Sequence, residues 1–195
     1  MHARRFRIEW AGPRGTLVAL EPTRDEVCAR APELAAAYND AHNSAMMANT
    51  IRFSEADVVL HYEAMEQEGA RQFFFYEGAS FVGDGDVRNI AGGAAELAIL
   101  IASRHAQGKG LGTRFALLLH LLAFRELALE RLYVTILPEN AASRRLFERI
   151  GHRVDTSPEA RAYVDDERDV SMSIAKDEFE REHAAALAEV RISEA

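Results

Sequence analysis

The sequence predicts an α/β fold of the α+β kind, a mixed and mostly antiparallel twisted sheet of about six to seven strands flanked by helices. Three observations point there. Residues 72–101 hold three short β-rich runs separated by tight, mostly glycine-containing turns, the pattern of an antiparallel meander. Residues 24–68 carry apolar side chains at helical spacing. The apolar stretch from Leu111 to Phe124 is followed by a buried-strand run and a second capped helix, so helices must pack on a sheet.

The chain has 195 residues, which suits one domain, because single cores stop growing near ~250 residues. We read residues 1–195 as that domain and 176–195 as its C-terminal helical tail. Apolar residues at 48% with 28% charged residues are a globular composition. Lys and Arg number 23 against 31 Asp and Glu, a net charge of −8. That is the wrong sign for nucleic acid or an anionic membrane, so neither is expected as a partner, and a cationic or amine partner fits better. Cys28 is the single cysteine; it excludes an internal disulfide or thiolate cluster and suits a reducing cytoplasm. No pair among the seven histidines has the spacing of a helical metal site, so no metal is expected. With no long apolar window, and no apolar run after the basic residues at the N-terminus, the protein reads as soluble and cytoplasmic.

The elements follow in order. The first twelve residues are short and mixed; Gly12, Pro13, Arg14 and Gly15 form a turn into a first strand, Thr16 to Leu20, stopped by Pro22. Thr23 with Glu26 forms a capping box for a helix carrying Val27, Ala31, Leu34 and Tyr38, which Pro32 must bend or divide. Cys28 on that helix reads as a small buried hydrophobe. Ser54 with Asp57 caps a second helix ending at Gly69. The meander runs Gln72 to Tyr76, Phe81 to Asn89 and Ala95 to Ile101, and Phe73, Phe74, Phe75 and Tyr76 read as strand core. A polar loop, Ala102 to Lys109, leads into the apolar helix. Arg131 to Leu137 is a buried strand. Pro138 and Asn140 start the next helix, Gly151 closes it, and Val154 begins an extended segment. Tyr163, Val164, Asp165, Asp166, Glu167 and Arg168 read as a hairpin turn before the last strand, Val170 to Ala175. In the tail, Phe179, Leu187 and Val190 fall roughly on one helical face, a stripe that points to a homodimer.

The informative stretch is Gln107-Gly108-Lys109-Gly110-Leu111-Gly112-Thr113, between strand and helix. Glycines let backbone approach an anion, and helix N-terminal amides favour a phosphate there. The spacing matches neither a Walker loop nor a Rossmann fingerprint. A loop without a ligand, or a site for a nucleotide or free phosphate, are the alternatives.

Gln-x-x-Gly-x-Gly after a strand, followed about thirty residues on by Asn140-Ala-Ala-Ser143-Arg-Arg-Leu-Phe147-Glu-Arg-Ile-Gly151-His152, resembles the GNAT superfamily of acyl-CoA-dependent N-acetyltransferases. The run Glu96 to Ile101, the Gln-Gly-Lys-Gly-Leu core and the late Tyr-Val-Asp-Asp-Glu-Arg-Asp-Val turn are most similar to the branch holding spermidine acetyltransferases and ribosomal-protein N-terminal acetyltransferases. The resemblance implies a GNAT-like sheet with splayed central strands. It implies acetyl-CoA as co-substrate, its pantetheine bonded to backbone from Ile99 through Leu100 to Ile101, and its pyrophosphate held by the amides from Gln107 to Thr113. Asn140 matches an asparagine that contacts the pantetheine arm, with a helix N-cap as the other reading; Ser143 and Phe147 lie on the same helix.

It further implies Glu96 as general base for a primary-amine acceptor, a small molecule or a peptide N-terminus. Glu96 as an edge charge paired with a basic neighbour is the competing reading. Phe147 stands where many relatives carry a tyrosine acid and has no proton to give, so Ser143 is the first candidate to protonate the leaving thiolate and Tyr133 the second. His42 and Asn43, between the N-terminal helices, are candidates to line the acceptor groove. A non-catalytic CoA-binding sensor is the alternative function.

Overall fold

The computed structural model describes residues 4–12, 14–164 and 166–195. Pro13 of the first expected turn, Asp165 of the late turn, and Met1, His2 and Ala3 lie outside them.

The elements are β1 (Phe6–Trp10), β2 (Leu17–Leu20), α1 (Arg24–Asn39), α2 (Ala41–Met46), α3 (Glu55–Gln67), β3 (Arg71–Glu77), β4 (Ser80–Ala91), β5 (Ala94–Ile101), α4 (Leu111–Arg125), β6 (Arg131–Ile136), α5 (Ala141–Ile150), β7 (Arg153–Val154), α6 (Pro158–Arg161), β8 (Val170–Ala175), α7 (Lys176–His183) and β9 (Arg191–Glu194). The described strands form one nine-stranded sheet in the order β7-β8-β6-β5-β4-β3-β2-β1-β9. Every neighbouring pair is antiparallel except β5 with β6. The expected meander is β3-β4-β5.

Two apolar layers cover the sheet. Phe73 and Phe75 face a core with α4, where Phe75 stacks on Phe115 at 4.2 Å; Phe74 faces the opposite way, onto Val27, Leu34, Val58 and Tyr62 of α1 and α3. Strand alternation sends successive residues to opposite faces, so three consecutive phenylalanines serve both layers. Both capping boxes form, Thr23 with Glu26 and Ser54 with Asp57.

Several expectations need correction. The sheet has two more strands than the upper expectation, because short strands near its ends, such as Phe6–Trp10 and Arg153–Val154, give a weak signal. Pro32 does not divide α1. Both Pro32 and Cys28 are exposed, so the Cys28 carbonyl that Pro32 leaves without a helical donor can be hydrated. Cys28 is therefore not a buried hydrophobe. A short helix, α6, precedes the late turn and lengthens the connection between β7 and β8.

The tail is not one helix: α7 is followed by β9, which pairs with β1 and extends the sheet. Phe179, Leu187 and Val190 are buried in the α4-side core. The stripe that suggested a second copy is covered by the chain itself.

Candidate active site

The site begins where the parallel pair ends. β5 and β6 are matched at Ala94 with Arg131, Ala95 with Leu132 and Glu96 with Tyr133, and no further. β6 continues along β8, while β5 from Leu97 to Ile101 keeps only β4 as a partner. This is the splay the resemblance implied. It opens into a cavity of about 550 Å³, lined on one side by residues 97–100 and on the other by 134–137, Asn140, Ser143 and Phe147.

At the C-terminal end of β5 the loop leads to α4, whose N-cap is Gly110 at φ 80° with no side-chain cap. A side chain at Gly110 would meet nothing within 4 Å, so the glycine serves the left-handed backbone and leaves open space over the helix amides. Uncapped amides at the positive end of a fifteen-residue helix suit a pyrophosphate. Gly108 and Lys109 are exposed, Gly112 and Thr113 half-buried, and Leu111 is packed in the core, so from Leu111 only the backbone is on offer.

Gln107 acts through its side chain as well. Its Nε2 donates to the Ile101 carbonyl at 2.9 Å and to Asn43 Oδ1 at 3.0 Å. Asn43, 1% exposed, donates from Nδ2 to the carbonyls of Ala37 and Ala102 at 3.0 and 3.1 Å. Asn43 is therefore a strut tying α2 to the loop, not a wall of the acceptor groove. His42 is exposed and lies outside the cavity lining. The cavity is roofed instead by Tyr38, Phe53, His61 and residues 46–49.

Asn140 caps α5 by accepting from the Ser143 amide at 3.0 Å, and its Nδ2 donates to the Met46 carbonyl at 3.2 Å. The N-cap reading holds, with the amide also spanning to the end of α2. Ser143 lines the cavity. Tyr133 does not: its ring stacks on Tyr163 at 4.7 Å. Phe147 lines the cavity with one edge, and packs behind against His120 and His152. Those two histidines meet Nε2 to Nε2 at 2.7 Å in the core. Burial lowers both, His120 to about 4 and His152 well below its ordinary value, so both are neutral.

Glu96 is 5% exposed, and its Oε2 accepts from Arg88 Nε at 2.9 Å and Asn89 Nδ2 at 3.2 Å. It lines the cavity and is ion-paired with Arg88, the basic neighbour of the competing reading.

The sequence reading missed Asp84 and Asp86. Both stand on the cavity face of β4 with Arg88, because residues two apart share a face. The intervening glycines take the other face. A Cβ on Gly83 would lie 1.9 Å from the Leu100 carbonyl oxygen, and one on Gly85 would lie 2.6 Å from that of Ala98 and 3.1 Å from Phe115. The Gly-Asp-Gly-Asp alternation at 83–86 was the available signal: close packing on one face, carboxylates on the other. Tyr38 and Tyr62 both donate to Asp84 Oδ2, Tyr62 at 2.8 Å. Burial pushes Asp84 up to about 6 against those two hydrogen bonds, and Asp86 up to about 7 against the attraction of Arg88. Burial, and then Arg88, lowers His61. Among the described residues no group of His, Cys, Asp and Glu is placed to hold a metal, and no helix is long and apolar enough to cross a membrane.

Comparison with solved structures finds the same fold. The aminoglycoside acetyltransferase AAC(6')-Ib in complex with coenzyme A superposes with a TM-score of 0.69 at 19% identity, over 85% of this chain and 98% of that one. Mycobacterium smegmatis RimJ in complex with CoA-disulfide gives 0.68 at 16% identity, over 96% and 94%. A protein of Bacillus halodurans gives 0.75 at 12% identity, over 91% and 94%. No curated protein matches the sequence. The family model described as an acetyltransferase (GNAT) domain matches residues 16–153, a span holding the splayed strands, the glycine loop before α4 and all of α5. The chain therefore belongs to the GNAT acetyltransferases.

Proposed function

We propose that the protein acetylates a primary amine of a small molecule or a peptide N-terminus, with Glu96 as the proton acceptor. The carrying observation is the continuity of one cavity. It joins the splay between β5 and β6 to a floor of carboxylates under the α1–α3 roof, and Glu96 stands where the two halves meet.

Acetyl-CoA supplies a thioester carbonyl, and the chain supplies everything around it. The free edge of β5 presents backbone donors and acceptors to an extended arm, while the open amides of α4 take the pyrophosphate. An ammonium of pKa ~10 must lose a proton before its nitrogen can attack. Arg88 and Asn89 fix the Glu96 carboxylate by one oxygen, leaving Oε1 for that proton, directly or through water. The Ser143 hydroxyl, on the cavity side of α5, is the group we assign to protonate the departing thiolate. A thiol of pKa ~8.5 leaves with little help, so Phe147 does not forbid turnover. A known complex of AAC(6')-Ib holds coenzyme A and kanamycin together, which supports an amine acceptor beside the cofactor on this fold.

A thiol-release assay with acetyl-CoA over short amines, basic peptides and amino sugars tests the reading. Turnover that falls in Glu96→Gln supports it. Coenzyme A binding with no turnover on any amine would favour the sensor.

A further inference from the structure

The floor of the cavity holds more negative charge than the acyl-transfer step uses. Among the described lining residues five carboxylates stand against two guanidiniums, and the guanidinium of Arg168 is paired with Asp166 at 2.9 Å. Arg88 is shared: Nε is 2.9 Å from Glu96, while Nη1 is 3.6 Å from Asp86, beyond hydrogen-bond reach. Asp84 is 7% exposed and faces the cavity, yet its Oδ1 has no hydrogen-bond partner among the described residues; nor has Oδ1 of Asp86. Buried carboxylate oxygens without a hydrogen-bond donor are costly, and nothing in the acetyl-transfer step requires them.

We propose that Asp84 and Asp86 form a second ammonium site, so that the acceptor is a dication whose reacting nitrogen lies at Glu96 and whose other nitrogen rests on this pair. The inference rests on the acetyl-transfer reading and names its substrate class. Register sets the span. Arg88 pairs with Glu96, Asp86 with Ala98 and Asp84 with Leu100, so Asp86 lies about 7 Å along the strands from Glu96 and Asp84 about 7 Å further. Ala98, the smallest side chain on that face, leaves the space between them open. The span suits a four- or five-carbon diamine. The groups facing the pair are Tyr38 and Tyr62 from α1 and α3, His61 from the roof, and Arg88 and Glu96 from the sheet. Burial raises Asp84 to about 6 and Asp86 to about 7, so at neutral pH a proton is shared chiefly by Asp86, and an ammonium would replace it.

The test compares 1,4-diaminobutane with 1-aminobutane as acceptors, by kcat/KM, alongside calorimetric binding of the diamine to the CoA-saturated protein. The diamine should be favoured at least tenfold, mainly through KM. Asp86→Asn should bring that ratio close to one, and Asp86→Glu should keep part of it. Thermal melting of each variant separates lost recognition from lost folding. Equal use of both amines, or a preference that survives in both Asp86→Asn and Asp84→Asn, would overturn the site. If neither amine is acetylated, calorimetry decides the site alone, and the acetyl-transfer reading fails only when no amine of the wider panel is turned over. Diamine binding that disappears in Asp86→Asn then supports it, and no binding overturns it.

Discussion

Glu96 and Tyr133 are the last matched pair of β5 and β6, and the cleft opens one residue beyond them. The carboxylate therefore stands at the vertex of the splay, while the tyrosine turns its ring away, onto Tyr163.

That vertex makes Glu96 the position most sensitive to loss of a carboxylate. Glu96→Gln should lower kcat/KM by about 10²- to 10⁴-fold, the range of general base catalysis, with coenzyme A binding unchanged by calorimetry. A loss confined to KM would assign Glu96 to binding instead.

Ser143 and Tyr133 should separate cleanly. Ser143 faces the cavity and Tyr133 does not, so Ser143→Ala should reduce kcat about tenfold, and Tyr133→Phe should leave it within a factor of two or so. Solvent isotope effects on kcat in the two variants would check the assignment.

Gly110 holds a left-handed backbone at φ 80° in open space. Gly110→Ala should cost about 1–2 kcal/mol of stability in urea titration, and weaken coenzyme A several-fold by tilting the first amides of α4. An intact affinity would place the pyrophosphate elsewhere.

The histidine pair behind Phe147 gives stability an acid-side slope. Burial holds His120 at about 4 in the folded protein, against ~6.5 unfolded. Its contribution is complete above the unfolded value and is lost as pH falls between the two, on the order of 3 kcal/mol. Urea titrations of wild type and His120→Gln from pH 7.5 to 4.5 would isolate it. The difference between the two proteins should shrink as pH falls.

Asp86 has the opposite sign. Its folded value of about 7 lies above the unfolded carboxylate range, so its contribution is complete below ~4 and is lost as pH rises through 7. Asp86→Asn should be roughly 2–4 kcal/mol more stable than wild type at pH 8, the advantage disappearing near pH 4. Melting temperatures at the two pH values decide it, and a less stable variant at pH 8 would assign Asp86 to structural pairing with Arg88.

Local signals carried far. Thr23 with Glu26, Ser54 with Asp57, Asn140 at the start of α5 and the glycine loop before α4 each act through neighbours a few residues away, so the sequence alone placed them. The meander was legible because its turns are short. The edge strand β9 was not, since it pairs with residues nearly two hundred positions away, such as Ile192 with Ile8. The same distance in sequence hid the roles of the polar residues. Asn43 looks like a groove residue until Ala102 and Gln107 are brought to it. Asp84 looks like an ordinary strand carboxylate until Tyr38 and Tyr62 close over it. Sequence alone was enough for the family and for the glycine loop that opens α4, because both rest on short local motifs. Which carboxylates share a cavity, and which are left without a donor, was decided only by the tertiary structure, because burial and charge pairing depend on what other segments bring within a few ångströms.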